Sequence, residues 1–151
     1  MIEYIEGSIF DTDCDIIIHQ VNCKSRMGSG IAYEIRKRYP KAYTSYKKYC
    51  DRLGNKLLGK IQPVDCGDII IINMFGQDNY GRDKVLYTDY DAFEECMKKT
   101  LIYCEVGNYS IAIPYRIGCR LAGGDWNIVK KIIENKFKKS DVICKIYKKD
   151  G

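Results

Sequence analysis

The sequence predicts an α/β protein, a three-layer α/β/α sandwich with a mixed, partly parallel central sheet. Three observations carry this. Apolar runs of strand length alternate with stretches of helical spacing along the whole chain, the pattern that covers both faces of a parallel sheet with helices. Ile16-Ile17-Ile18 is apolar without alternation, as a strand buried on both faces must be. Two further strand-like runs meet at Cys66-Gly67, too close for a crossover helix, so one hairpin makes the sheet mixed.

Taken in order, a short strand is expected over Ile2 to Ile5 and a buried one over Asp15 to Val21. Gly28-Ser29-Gly30 breaks that pattern, and Ile31, Ala32 and Ile35 then share a helical face that Pro40 terminates, because the residue before a proline avoids the α region. Ala42, Tyr46, Tyr49, Cys50 and Leu53 form the inner face of a second helix, with Gly54 as its stop. Lys60 to Val64 and Asp68 to Asn73 are the hairpin strands. Phe93, Met97, Leu101 and Cys104 mark a third helix that ends at Gly107-Asn108, followed by a strand from Tyr109 to Ile113. Val129, Ile132, Ile133 and Phe137 mark a fourth helix, and Val142 to Tyr147 the last strand. No repeat or linker divides the chain, so residues 1–151 are expected to form one domain.

Composition bounds the chemistry. A chain of 151 residues and 17.5 kDa exposes roughly 25,000 Å² unfolded and about 8,000 Å² folded, enough burial for a core without staples. With 46% apolar and 30% charged residues it is globular rather than disordered. His19 is the one histidine among eight cysteines, which excludes a zinc site built on two histidines of this chain, and no C-x-x-C pair occurs. Most cysteines have apolar neighbours and are expected as reduced, buried thiols, with no disulfide framework. The apolar runs are too short to span a bilayer and the start lacks a leader pattern; a cytoplasmic protein with no membrane contact is expected. The net charge of +5 is uneven: residues 34–60 hold nine Lys/Arg against Glu34 and Asp51, and residues 130–151 hold eight Lys against three acids. Solvated helix faces explain this; a weak nucleic-acid contact through the basic helices, or an anionic small ligand, is also compatible.

In a sheet of this kind ligands bind where strand carboxyl ends lead into helices. Two such loops are glycine-rich: His19 to Gly30, and Pro114 to Trp126. Glycines let backbone N–H groups approach a phosphate, and the following helix N-terminus favours negative charge. Together the loops imply a cleft for a ligand the size of a diphosphate. Neither fits the P-loop pattern.

These residues carry a resemblance. Ile5-Glu6-Gly7-Ser8-Ile9, Asn22 with Met27-Gly28-Ser29-Gly30-Ile31-Ala32, Tyr39-Pro40, Pro114 with Ile117-Gly118-Cys119, and Asp125-Trp126 resemble a macrodomain, the ADP-ribose-binding fold. The chain is similar above all to the branch containing ADP-ribose-1''-phosphate phosphatases and terminal ADP-ribose protein glycohydrolases. Gly30 to Tyr33, Arg38 to Ala42 and Leu57-Leu58-Gly59-Lys60 look like the phosphatase side.

The resemblance implies a site made of Ser8, Ile9, Gln20, Val21, Asn22, Arg26, Met27, Gly28, Ser29, Gly30, Ile31, Ala32, Pro114, Ile117, Gly118, Cys119, Arg120, Leu121, Ala122 and Tyr147. Asn22 would hydrogen-bond the distal ribose. Gly28 to Ile31 would wrap that ribose and the proximal phosphate, and Ile117 to Ala122 would cradle the diphosphate. Tyr147 would lie near the adenine or simply cap the core. Three departures stand out. Ser8 occupies the place where most of the family has an adenine-reading Asp. Met74 and Ala122 stand near the positions of the glycohydrolase lysine and aspartate, with Lys84 several residues further on. Arg120 replaces a glycine.

The residues proposed for catalysis are His19, Asn22 and Asp125. His19 ends a buried strand and faces either the first loop or the core; Asp125 is either an N-cap or an acid–base group. Trp126 is expected as a core anchor. Cys23 and Cys119 are the two thiols beside the ligand loops. The reaction the resemblance implies is hydrolysis of ADP-ribose-1''-phosphate to ADP-ribose and phosphate without metal or cofactor; removal of ADP-ribose from a macromolecule, and binding without turnover, are the alternatives.

Overall fold

A computed structural model of the chain describes residues 1–149. Six strands form one sheet: β1 (Ile2–Glu6), β2 (Ile16–Val21), β3 (Ile61–Asp65), β4 (Ile70–Phe75), β5 (Ile111–Pro114) and β6 (Cys144–Lys148), in the spatial order β1-β6-β5-β2-β4-β3. All neighbours pair parallel except β3 with β4, so the expected hairpin is the one antiparallel element of the sheet. Four helices cover it: α1 (Gly30–Arg38), α2 (Pro40–Leu53), α3 (Tyr90–Gly107) and α4 (Trp126–Phe137). A short 3-10 turn, Ile9–Asp11, follows β1, and a second, Gly54–Leu57, follows α2.

The core lies on both faces of the sheet. On one face Ile16, Ile18, Ile72 and Met74 pack with Phe93 and Met97 of α3 and with Ile133 and Phe137 of α4. On the other, Ile17 and Ile71 meet Ile35 of α1 and Ala42 of α2. Beside them Val21 and Phe75 close on Met27, Tyr46 and Cys50. The successive isoleucines of β2 thus serve opposite layers, as the two-residue period of a strand requires.

The differences from expectation lie at element ends. β4 runs on to Phe75, which puts Met74 in the core. α3 begins at Tyr90 because Asp89 caps it, its side chain accepting the Ala92 N–H at 3.0 Å. Pro40 ends one helix and opens the next as its first residue, where its missing N–H is harmless. Phe93 is fully buried between α3 and the sheet. The Phe93→Ala variant is expected to lose about 3–5 kcal/mol of unfolding free energy, read from urea titrations; a loss below 1 kcal/mol contradicts this packing.

Candidate functional site

The parallel strands β1, β6, β5, β2 and β4 all end at one edge of the sheet. From β2 the chain turns to α1 on one face, and from β5 to α4 on the other. A crevice opens where neighbouring strands lead to opposite layers. It holds a cavity of about 990 Å³.

Most of the expected residues line it: Ser8, Ile9, Gln20, Val21, Asn22, Arg26, Gly28, Ser29, Gly30, Ile31, Ala32, Pro114, Ile117, Gly118, Arg120, Leu121, Ala122 and Tyr147. The two glycine-rich loops therefore face one space. The second is held in a tight path. Gly124 N–H donates to Gly118 O at 2.9 Å, and Thr88 Oγ1 donates to Gly118 O at 2.6 Å. At Gly123, with φ +76°, a Cβ would stand 2.3 Å from Val85 O, so only glycine fits that approach.

Asn22 is buried and almost fully committed. Its Oδ1 accepts Lys24 N–H at 2.9 Å, its Nδ2 donates to Arg26 O at 2.9 Å, and the Tyr46 hydroxyl lies 2.7 Å from Asn22 O and 2.8 Å from Asn22 Oδ1. One Nδ2–H remains for a ligand. Tyr46 also accepts Arg26 N–H at 3.1 Å, and burial holds its phenol above the ordinary range. Spacing alone made Tyr46 a core residue; the hydroxyl that fixes the first loop has no signal in one sequence.

Four expected residues are placed differently. His19 does not reach the cavity. Its ring is fully buried on the α2 face, with Nε2 2.6 Å from Asn73 Oδ1. Asn73 Nδ2 donates to Ala42 O and Gln62 Oε1, so Asn73 Oδ1 is an acceptor and His19 Nε2 carries the proton. Nδ1 has no partner, and burial lowers the pKa to about 4. Of the two orientations expected for His19, the structure has the one toward the core, which corrects its candidacy as an acid–base group in the cavity: β2 pleating turns residue 19 inward. Asp125 is exposed and caps α4, accepting Asn127 N–H at 2.8 Å. It borders a separate hollow beside Arg116, Arg120 and Trp126 rather than the main cavity. Met27 is buried against Tyr46 and Phe75. Cys119 points back to Ile117 O at 3.3 Å. Burial pushes the Cys119 thiol up to about 11 and the Cys23 thiol up to about 12, so neither is a ready nucleophile. Tyr147 does line the cavity, and its hydroxyl donates to Thr12 Oγ1 at 2.9 Å. Ser8 caps the 3-10 turn, its Oγ accepting Phe10 N–H at 3.2 Å. Trp126 packs on Tyr115 with ring centres 4.8 Å apart and planes tilted by 58°, and it packs against the core. Lys84 is exposed and lies outside the cavity lining.

A third loop, residues 76–89 after β4, was not foreseen as part of the site. It supplies Gln77, Tyr80, Gly81 and Arg82 to the lining. It docks on the first loop through Cys23 N–H to Asp78 O at 2.9 Å, and on the second through Tyr87 N–H to Ala122 O at 2.8 Å. Gly76 and Gly81 at the carboxyl end of a parallel strand were the available signal. Six cationic residues line the cavity: Arg26, Arg38, Arg82, Arg116, Arg120 and Lys149. On α1 and α2, by contrast, the basic residues are partly engaged: Arg36 lies over Tyr43, Arg52 over Tyr49, and Lys47 pairs with Asp51. Among the described residues no group of three or more His, Cys, Asp or Glu could hold a metal ion, and no helix is long and apolar enough to cross a membrane.

Glycine loops from two layers, facing each other over a cationic cavity at the strand ends, define an α/β binding protein for an extended anionic ligand. The Macro domain family model matches residues 18–133, and the chain belongs to that family. It is 31% identical over 157 residues to the DNA ADP-ribosyl glycohydrolase of Mycobacterium tuberculosis (strain ATCC 25618 / H37Rv), covering 100% of this chain and 43% of that protein. The chain thus spans less than half the length of this relative. It is 27% identical over 162 residues to the ADP-ribose 1''-phosphate phosphatase of Saccharomyces cerevisiae (strain YJM789), covering 88% of this chain and 91% of that one. The solved macrodomain of Mycobacterium tuberculosis DarG superposes with a TM-score of 0.86 at 29% identity, covering 97% of both chains.

The buried imidazole has a measurable signature. The unfolded chain takes up a proton near pH 6.5 that the folded chain refuses until about pH 4. Stability from His19 is therefore present above pH 6.5 and is lost as pH falls to 4, by about 3 kcal/mol. Urea titrations across this window are expected to show the loss in the parent, and a shallower decline in His19→Gln, whose amide does not titrate.

Proposed function

We propose that the chain binds ADP-ribose in this cavity and hydrolyses ADP-ribose-1''-phosphate to ADP-ribose and inorganic phosphate. The observation that supports this most is the lining itself: six cations and two backbone cradles, with no imidazole or thiol among the described lining residues. Phosphoryl transfer has a loose transition state, so a protein contributes chiefly position and positive charge. The spare Nδ2–H of Asn22 would hold the distal ribose. Arg26 and Arg82, from two loops that dock on each other, would take the terminal phosphate. Water attacks phosphorus and the bond from phosphorus to the ribosyl oxygen breaks; ADP-ribose leaves on that oxygen, which takes up a proton given up by the water, and the inorganic phosphate carries the water's oxygen. His19 and Asp125 act at a distance in this reading, His19 by holding β2 and Asp125 by starting α4.

Removal of ADP-ribose from DNA or protein is the second reading, favoured by the mycobacterial relative's name. A lysine nucleophile is hard to supply for it. Met74 is fully buried, Ala122 carries no carboxylate, and Lys149 is the lysine that lines the cavity. The eight unpaired cysteines, seven of them buried, suit a reducing compartment, which we take to be the cytoplasm.

Phosphate release from ADP-ribose-1''-phosphate tests the proposal. Asn22→Ala is expected to lower kcat/KM about 10- to 100-fold, while His19→Gln stays within about threefold of the parent. Release by the parent no faster than by Asn22→Ala would leave a binding module without turnover.

A further inference from the structure

We infer that Glu34 reads the exocyclic amine of the adenine, the task for which Ser8 offers no carboxylate. This rests on the proposed binding of ADP-ribose in the cavity. Glu34 is the one carboxylate among the described lining residues, against six cations. Its exposed pairs with Lys37 and Arg38 offset that charge only in part, so in a cavity for a diphosphate it works against affinity unless it also meets a donor on the ligand. Its place agrees with the base. Glu34 lies on α1 one turn beyond Ile31, which packs in one cluster with Ile9, Phe10 and Tyr147, the corner where Tyr147 would meet the adenine.

The corner is also braced. Arg38 lies one turn further along α1, with its guanidinium 4.2 Å from the centre of the Phe10 ring and its Nε 3.6 Å from Glu34 Oε2. Lys37 Nζ stands 3.6 Å from Glu34 Oε1. The Glu34 side chain remains 41% exposed, so these pairs add little stability and the oxygens stay open to a second donor. Ser8 Oγ, by contrast, already accepts Phe10 N–H. An N6–H of adenine donating to Glu34 would make a charge-assisted hydrogen bond. A 6-oxo base would set its own acceptor against the carboxylate.

The test is calorimetric titration of the intact protein with ADP-ribose and with inosine diphosphate ribose, which carries oxygen in place of the amine. The parent is expected to prefer ADP-ribose by about tenfold or more, the scale of one hydrogen bond to a charged group. Glu34→Gln, which can both donate and accept, is expected to bring the two ligands within about threefold, and Ser8→Ala to keep the preference. Equal binding of both ligands by the parent, or a preference that survives Glu34→Gln, overturns the assignment to Glu34. Loss of the preference in Ser8→Ala with Glu34 intact transfers the role to Ser8 and overturns it too. If the parent binds neither ligand, the proposed function itself falls.

Discussion

Strand β2 lies between β5 and β4 with helices over both faces, so its polar side chains are buried, as His19 is, or half-buried, as Gln20 is. A buried amide or ring without a partner costs about 1–3 kcal/mol, and each polar side chain here finds at least one on a different element, though His19 Nδ1 and Gln20 Oε1 are left without. His19 meets Asn73 on β4, which reaches Gln62 on β3 and Ala42 on α2. Gln20 donates to Gln77 at 2.7 Å and to Thr88 at 2.9 Å, both in the third loop. Asn22, just past the strand, meets Tyr46 of α2. One strand thus ties together two other strands, one helix and two loops, and those ties aim the free N–H of Asn22. Much of the site's rigidity follows from the burial of β2, since the first, second and third loops are each bonded to this strand or to a loop that is.

The same logic explains why the second loop tolerates so little change. It must approach β2 and the third loop at backbone distance. At Gly118, with φ +73°, a Cβ would stand 2.9 Å from Gln20 Oε1, and at Gly123 the neighbour is the Val85 carbonyl. Arg120 lies between them, exposed and on the cavity lining. A glycine is dispensable there because residue 120 is exposed and, unlike Gly118 and Gly123, has no positive φ; in its place the chain puts a planar fork suited to phosphate.

The fold was legible because its signals are periodic. Ile16 to Ile18, the Phe93 and Val129 helical faces, and Pro40 each state their element in a few residues, and the Cys66-Gly67 turn announced the antiparallel strand. Element ends were less legible: the Asp89 cap and the last residues of β4 depend on single side chains and on partner strands. At the site the glycine loops could be read, because backbone approach demands a residue type. Side-chain direction could not. Residue 19 faces the core and residue 22 the cavity because of pleating and one turn, and a shift of one residue reverses both. Asp125 was ambiguous for another reason: a good N-cap and a good acid are the same residue.

With those placements known, four titratable groups around the cavity share one property. His19 stays neutral down to about pH 4, the Cys23 and Cys119 thiols stay protonated to about 12 and 11, and the Tyr46 phenol is raised as well, each mainly through burial. Burial penalises the charged form of every one of them, so all four are uncharged near neutral pH. The positive field in the cavity therefore comes from arginines and Lys149, and a guanidinium keeps its charge throughout the working range. A site built this way carries a fixed positive field rather than a titrating imidazole, which accords with the proposed reaction, in which water, and not the protein, would supply the attacking oxygen.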